Sequence, residues 1–86
     1  MTHVPVFLTQ DENEIIISRS QAKRLLMGLE KFREIILDFK DVEEIGQAFA
    51  DEIFRVFQNE HPNINLHPIN TNEQIAKMIL RAKNVA

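Results

Sequence analysis

Cysteine is absent from the chain, and only two glycines and three prolines occur in its 86 residues. Without cysteine there is no disulfide framework, no thiolate chemistry and no cysteine-ligated zinc. The two glycines, Gly28 and Gly46, are too few and too far apart for a glycine-rich phosphate loop. Basic charge is also in deficit. Ten Lys and Arg stand against thirteen Asp and Glu, for a formal charge of −3. A nucleic-acid backbone is held by basic surface, so a nucleic-acid-binding module is excluded. No apolar run approaches the roughly eighteen residues of a membrane span. The first residues lack the basic region and apolar core of a secretory signal. These absences describe a soluble protein of a reducing cytoplasm, with no membrane partner.

What is present is the composition of a globular domain, 44% apolar and 27% charged. Residues 1–86 amount to one domain. A chain this short buries only about 60–65% of its unfolded surface, so its stability is modest unless it associates.

The rest of the chain is organised around residues 33–58. Ile35, Ile36, Leu37 and Phe39 form a β-prone apolar run interrupted only by Asp38, which suits an interior strand. The polar Lys40-Asp41-Val42-Glu43-Glu44 ends it, and helical periodicity begins at Ile45. Ile45, Phe49, Ala50, Ile53, Phe54, Val56 and Phe57 fill one half of the helical wheel. Gln47, Ala48, Asp51, Glu52, Arg55, Gln58 and Asn59 fill the other. Asp51 and Arg55 are spaced to pair on that outward side, for a few tenths of a kcal/mol. Three of the chain's six phenylalanines lie on this helix. Burying one such ring stabilises by roughly 1.5–3 kcal/mol, so the helix anchors the core. Phe54 sits at the edge of the apolar arc, which leaves open a core ring with a visible edge or a ring that meets a partner.

The string ILDFKDVEEIGQAFADEIFRVF resembles the strand, turn and helix of STAS domains, the fold of the anti-sigma factor antagonists. The longer pattern SRSQAKRLL…EIILDFKDVEEIGQAFADEIFRVF…HPNINLHPIN is more closely similar to a STAS-like bacterial domain family of unknown function. It covers roughly Glu14 to Ala82, and GQAFADEIFRV is highly specific to that family. The resemblance implies a protein-interaction module, not an enzyme, with no cofactor. It also implies a partner: members often lie beside, or are fused after, an ATPase of the histidine-kinase type. In the antagonists a phosphorylated serine stands three residues after the strand-ending isoleucine. Here that place, counted from Ile45, is Ala48, preceded by Gln47. Neither accepts a phosphoryl group, so the usual switch is absent or has moved.

Before residue 33, Val4, Val6 and Leu8 alternate as a first strand, with Pro5 favouring an edge. Gln10-Asp11-Glu12-Asn13 is a polar turn, and Glu14-Ile15-Ile16-Ile17 a second strand, antiparallel to the first. Ser18-x-x-Gln21 is a capping box, after which Ala22, Leu25, Leu26, Leu29 and Phe32 form a helical stripe. Gly28 falls within that helix, and Met27 on its polar side. Beyond His61-Pro62-Asn63, Ile64, Leu66 and Pro68 alternate as a last strand near an edge. Thr71-x-x-Gln74 is a second capping box, followed by Ile75, Met78, Ile79 and Ala82. The predicted fold is α/β and STAS-like, with the order β-β-α-β-α-β-α. Its four-stranded mixed sheet is ordered 1-2-3-4, with the first strand antiparallel. One sheet face is left to solvent, to the terminal helix or to a second copy, so self-association stays open.

Candidate chemistry is sparse. His3, His61 and His67 lack metal-ligand spacing. Asp38 lies near the carboxyl end of the central strand, where His67 of the next strand could meet it as an acid–base pair. The other reading of Asp38 is a hydrogen bond that caps the turn. A phosphoacceptor role fits poorly, since no matching lysine follows the last strand. Gly46 either permits a tight turn or lets another backbone approach. The favoured docking surface is Gly46, Gln47, Ala48, Asp51, Glu52 and Arg55, with Phe54 beside them. The rival is a small enzyme or ligand-binding domain using Asp38 and His67.

Overall fold

Three segments rich in β-branched and apolar residues pair side by side. The computed structural model describes the backbone of residues 3–7 and residues 17–84 in full. Within these, β1 (His3–Phe7), β2 (Glu34–Asp38) and β3 (Asn65–Ile69) form a parallel sheet in the order β1-β2-β3. The interior-strand expectation for Ile35–Leu37 holds, because β2 has a neighbour on both edges. Ile35, Leu37 and Phe39 are fully buried on one face. Pro68 lies on an edge strand, as its missing N–H requires.

The antiparallel first strand is not found. β1 pairs directly and in parallel with β2, Val4 opposite Ile35 and Val6 opposite Leu37. Parallel partners need a long crossover, and the chain between Phe7 and Glu34 supplies one that contains a helix. No edge of β2 is left for residues 14–17. Of that expected second strand, residues 14–16 lie outside the described residues, and Ile17 is not in a strand.

Helix α1 (Arg19–Leu26) starts with the expected capping box, Ser18 and Gln21 each satisfying the other's backbone. It ends earlier than the stripe suggests. Gly28 takes a left-handed φ of 81°, stopping the helix before a 3-10 turn at Leu29–Lys31. The central helix spans residues 47–60 in three parts: α2 (Gln47–Asp51), a π-helical stretch (Glu52–Phe57) and a last turn, α3 (Gln58–Glu60). In α4 (Glu73–Lys83) the expected stripe of Ile75, Ile79 and Ala82 is buried, with Met78 packed beside it. Its cap is Asn72, one residue beyond the Thr71 box: Asn72 accepts from the Ile75 N–H at 2.8 Å. The same amide donates to the Glu43 carbonyl at 2.7 Å, tying α4 to the loop after β2.

The central helix packs against α1 on one flank and α4 on the other. All three lie over the face that Ile35, Leu37 and Phe39 present, so α4 does not cover the opposite face. Among the described residues, no helix is long and apolar enough to cross a membrane.

Candidate functional site

The carboxyl end of β2 carries a set of hydrogen bonds on the face away from Leu37 and Phe39. Asp38 accepts from the Lys40 N–H and from the Asn70 amide, each at 2.9 Å. These two donors, Asn70 first, hold its carboxyl below the ordinary value. Asp41 and Asn70, in the loops after β2 and β3, adopt left-handed φ of 64° and 56°. Asp and Asn tolerate that region better than other side chains, which explains the residue types there. Asp38 therefore caps the turn and joins the two loops.

The expected Asp38–His67 pair is not formed. In the parallel register His67 lies opposite Ile36, one step short of Asp38. Its Nε2 instead stands 2.7 Å from Glu34 Oε1, and the Asn65 amide donates to Glu34 Oε2 at 2.7 Å. A carboxylate–imidazole pair does exist, but with Glu34. Sequence alternation could have suggested it, since Glu34 and Ile36 share a face and the register carries His67 onto it. Three cavities among the described residues, of about 200, 240 and 320 Å³, are lined by none of Asp38, Glu34 or His67. Among the described residues there is also no group of three or more acidic or histidine side chains that could hold a metal ion.

The start of the central helix carries the other candidates. Gly46 is its N-cap, in extended backbone, and offers no side-chain cap. Gln47 is exposed, and Gly46 and Ala48 are half-buried. Next to them a cavity of about 240 Å³ opens between Ile45 and the α4 residues Lys77, Met78 and Arg81.

The rest of the expected docking face points elsewhere. Asp51 and Glu52 are only 8% and 7% exposed, and Phe54 only 3%. Arg55 is half-buried. A helix in the middle of a layer has neighbours on both flanks, so only a narrow strip of it reaches solvent. On the α1 side Arg19, which the sequence did not single out, donates to Asp51 at 2.7 Å and to Glu52 at 3.4 Å. Arg55 donates to both oxygens of Asp51, so the expected Asp51–Arg55 pair is present, with Asp51 buried against α1 and Arg55 half-buried. On the α4 side Phe54 is part of the core, with Lys83 Nζ 5.9 Å from its ring centroid.

The Arg55 hydrogen bonds, helped by Arg19, lower the Asp51 carboxyl to about 2, against the opposing pull of burial. A carboxylate with a depressed folded pKa stabilises above its unfolded value, and that contribution is lost as pH falls towards 2. The urea midpoint is therefore expected to fall between pH 6 and pH 3. Both arginines are a third to a half exposed, and screening reduces the effect of losing Asp51 to about 1–2 kcal/mol. Asp51→Asn should lower the neutral-pH unfolding free energy by that amount and narrow the difference in midpoint between the two pH values. An unchanged pH difference in the variant would remove Asp51 from the groups responsible.

No curated protein and no solved structure matches the chain. A family model does match, over residues 21–76, from the capping box of α1 through β2 and β3 to the first turn of α4. With that match across most of the chain, the protein belongs to the family described as STAS-like domains of unknown function.

Proposed function

We propose that the chain is a non-enzymatic protein-interaction module that docks a partner through the start of its central helix. The observation that carries this reading is the exposed Gln47 and half-exposed Ala48 at a helix end without a side-chain cap. By the resemblance, Ala48 answers to the place where the anti-sigma factor antagonists bear their phosphoserine. The docking surface is Gln47 and Ala48, since Gly46 is covered by the chain's own Ile17, with the neighbouring cavity lined by Lys77 and Arg81 to seat a partner side chain. Polar residues around a small recess suit a transient interface. The partner class follows from the resemblance alone: an ATPase of the histidine-kinase type encoded beside the chain. Ala48 has no hydroxyl, so docking there is not switched by phosphorylation of that residue.

The test is co-purification and titration with such an ATPase. Gln47→Arg replaces an exposed amide by a bulky cation and should weaken binding roughly tenfold or more while the melting temperature stays put. Arg55→Glu is the wrong probe, since it sets a second carboxylate against Asp51. Undiminished affinity in Gln47→Arg, with the ATPase bound, would reject this surface.

A further inference from the structure

At the far end of the same helix the π-helical stretch builds a second feature. Hydrogen bonds reaching five residues back turn later side chains round the axis, so residues five apart come onto one side. Glu52 and Phe57 are such a pair, and both line one cavity of about 200 Å³ between the central helix and the end of α1. In an ordinary α-helix they would face well apart. The apolar wall of this groove is Leu26, Met27 and Phe57, its rim carries the exposed Glu30 and Glu60, and Glu52, buried and paired with Arg19, lies deeper. Lys23 is the lysine among its lining residues, so carboxylates outnumber it. His61 closes the end, its ring 4.6 Å from that of Phe57.

We propose that this groove takes one basic side chain and an adjoining apolar one from a protein partner. Charge complementarity carries the choice of occupant. The exposed Glu30 and Glu60 flank the cavity, and the carboxyl ends of α1 and of the central helix, which hold partial negative charge, lie beside it. The wall explains the apolar neighbour. Met27 is 76% exposed at the lip of the groove, where a leucine-like side chain would cover it. Size argues against a metabolite. The cavity is smaller than the roughly 300–1,000 Å³ of small-molecule sites and accommodates one side chain. This surface is separate from the helix start, so it stands or falls independently of the docking reading above.

The experiment uses the full chain, isotopically labelled for NMR, titrated with N-acetyl-arginyl-leucinamide. Saturable shifts are expected at Leu26, Met27, Glu52, Phe57 and His61, with an affinity on the order of 1 mM for so small a probe. N-acetyl-glutamyl-leucinamide should not bind, and N-acetyl-arginyl-serinamide should bind several-fold more weakly. Glu30→Gln with Glu60→Gln, both exposed positions, should weaken binding roughly threefold to tenfold without altering the fold. Added salt should do the same. Equal binding of the glutamyl probe, shifts centred elsewhere, or no saturation would overturn the proposal. So would the same shifts appearing on raising protein concentration alone, which would make the occupant a second copy of the chain.

Discussion

Phe54→Ala should unfold the protein or bring it close to unfolding, with a loss of about 3–5 kcal/mol. The ring is 3% exposed and belongs to the cluster of buried residues that joins the sheet to the helical layer. Removing it leaves a void between the central helix and α4, which cannot close without moving one helix against the other. A chain of this length has about 4–13 kcal/mol of stability in all, so the loss is a large share of it. The result also separates two roles. A ring held for a partner would cost binding but little stability when truncated, whereas a core ring costs stability first. Phe54→Leu keeps most of the buried volume and should cost less than about 1.5 kcal/mol. A melting curve for Phe54→Ala that overlies the parent's would return Phe54 to the surface.

Phe54, Asp51 and Glu52 also show where sequence reasoning stops. The wheel correctly separates an apolar half from a polar half, since Ile45, Phe49, Ala50, Ile53 and Phe57 are all buried. It assumes one buried flank and a constant turn angle. Neither holds here: the helix has α1 and α4 on its two sides, and it is π-helical from Glu52. Polar residues at the α1 flank are then buried against Arg19, a partner more than thirty positions earlier that no local pattern announces. The capping box at Ser18, the interior character of β2 and the edge position of Pro68 were legible because each depends on neighbours in sequence or on a missing N–H. The parallel pairing of β1 was not. A polar turn at Gln10–Asn13 suggests a hairpin, and only the pairing itself shows that β1 takes the free edge of β2. For the candidate site, residues 46–48 rest on the family resemblance, and of them the structure leaves Gln47 exposed. The union of His67 with Glu34 depended on register.

Gly46→Ala should cost about 2–4 kcal/mol, a drop of at least about 10 °C in melting temperature. The reason is not backbone freedom, since Gly46 has a φ of −79° that any residue adopts. A β-carbon at this position would lie 2.6 Å from Ile17 Cα, 2.8 Å from Ile17 O and 2.9 Å from Ile17 Cβ. Two of these are backbone atoms, and they are held in place. The Ile17 N–H donates to Gln21 Oε1 at 2.9 Å, and the Ser18 N–H donates to the same oxygen at 2.8 Å. To make room, Ile17 would have to pull on the capped start of α1, whose Ala22 and Leu26 are in the core. The backbone that approaches Gly46 is thus the chain's own, and this crossing locks the start of the central helix to the start of α1. Gly46→Ser distinguishes the clash from a simple loss of capping. Serine is the better N-cap, so a helix limited by its cap would gain stability, whereas the crossing with Ile17 should make Gly46→Ser lose nearly as much as Gly46→Ala. A serine variant as stable as the parent would mean that Ile17 yields easily and that the helix start is not fixed by this contact.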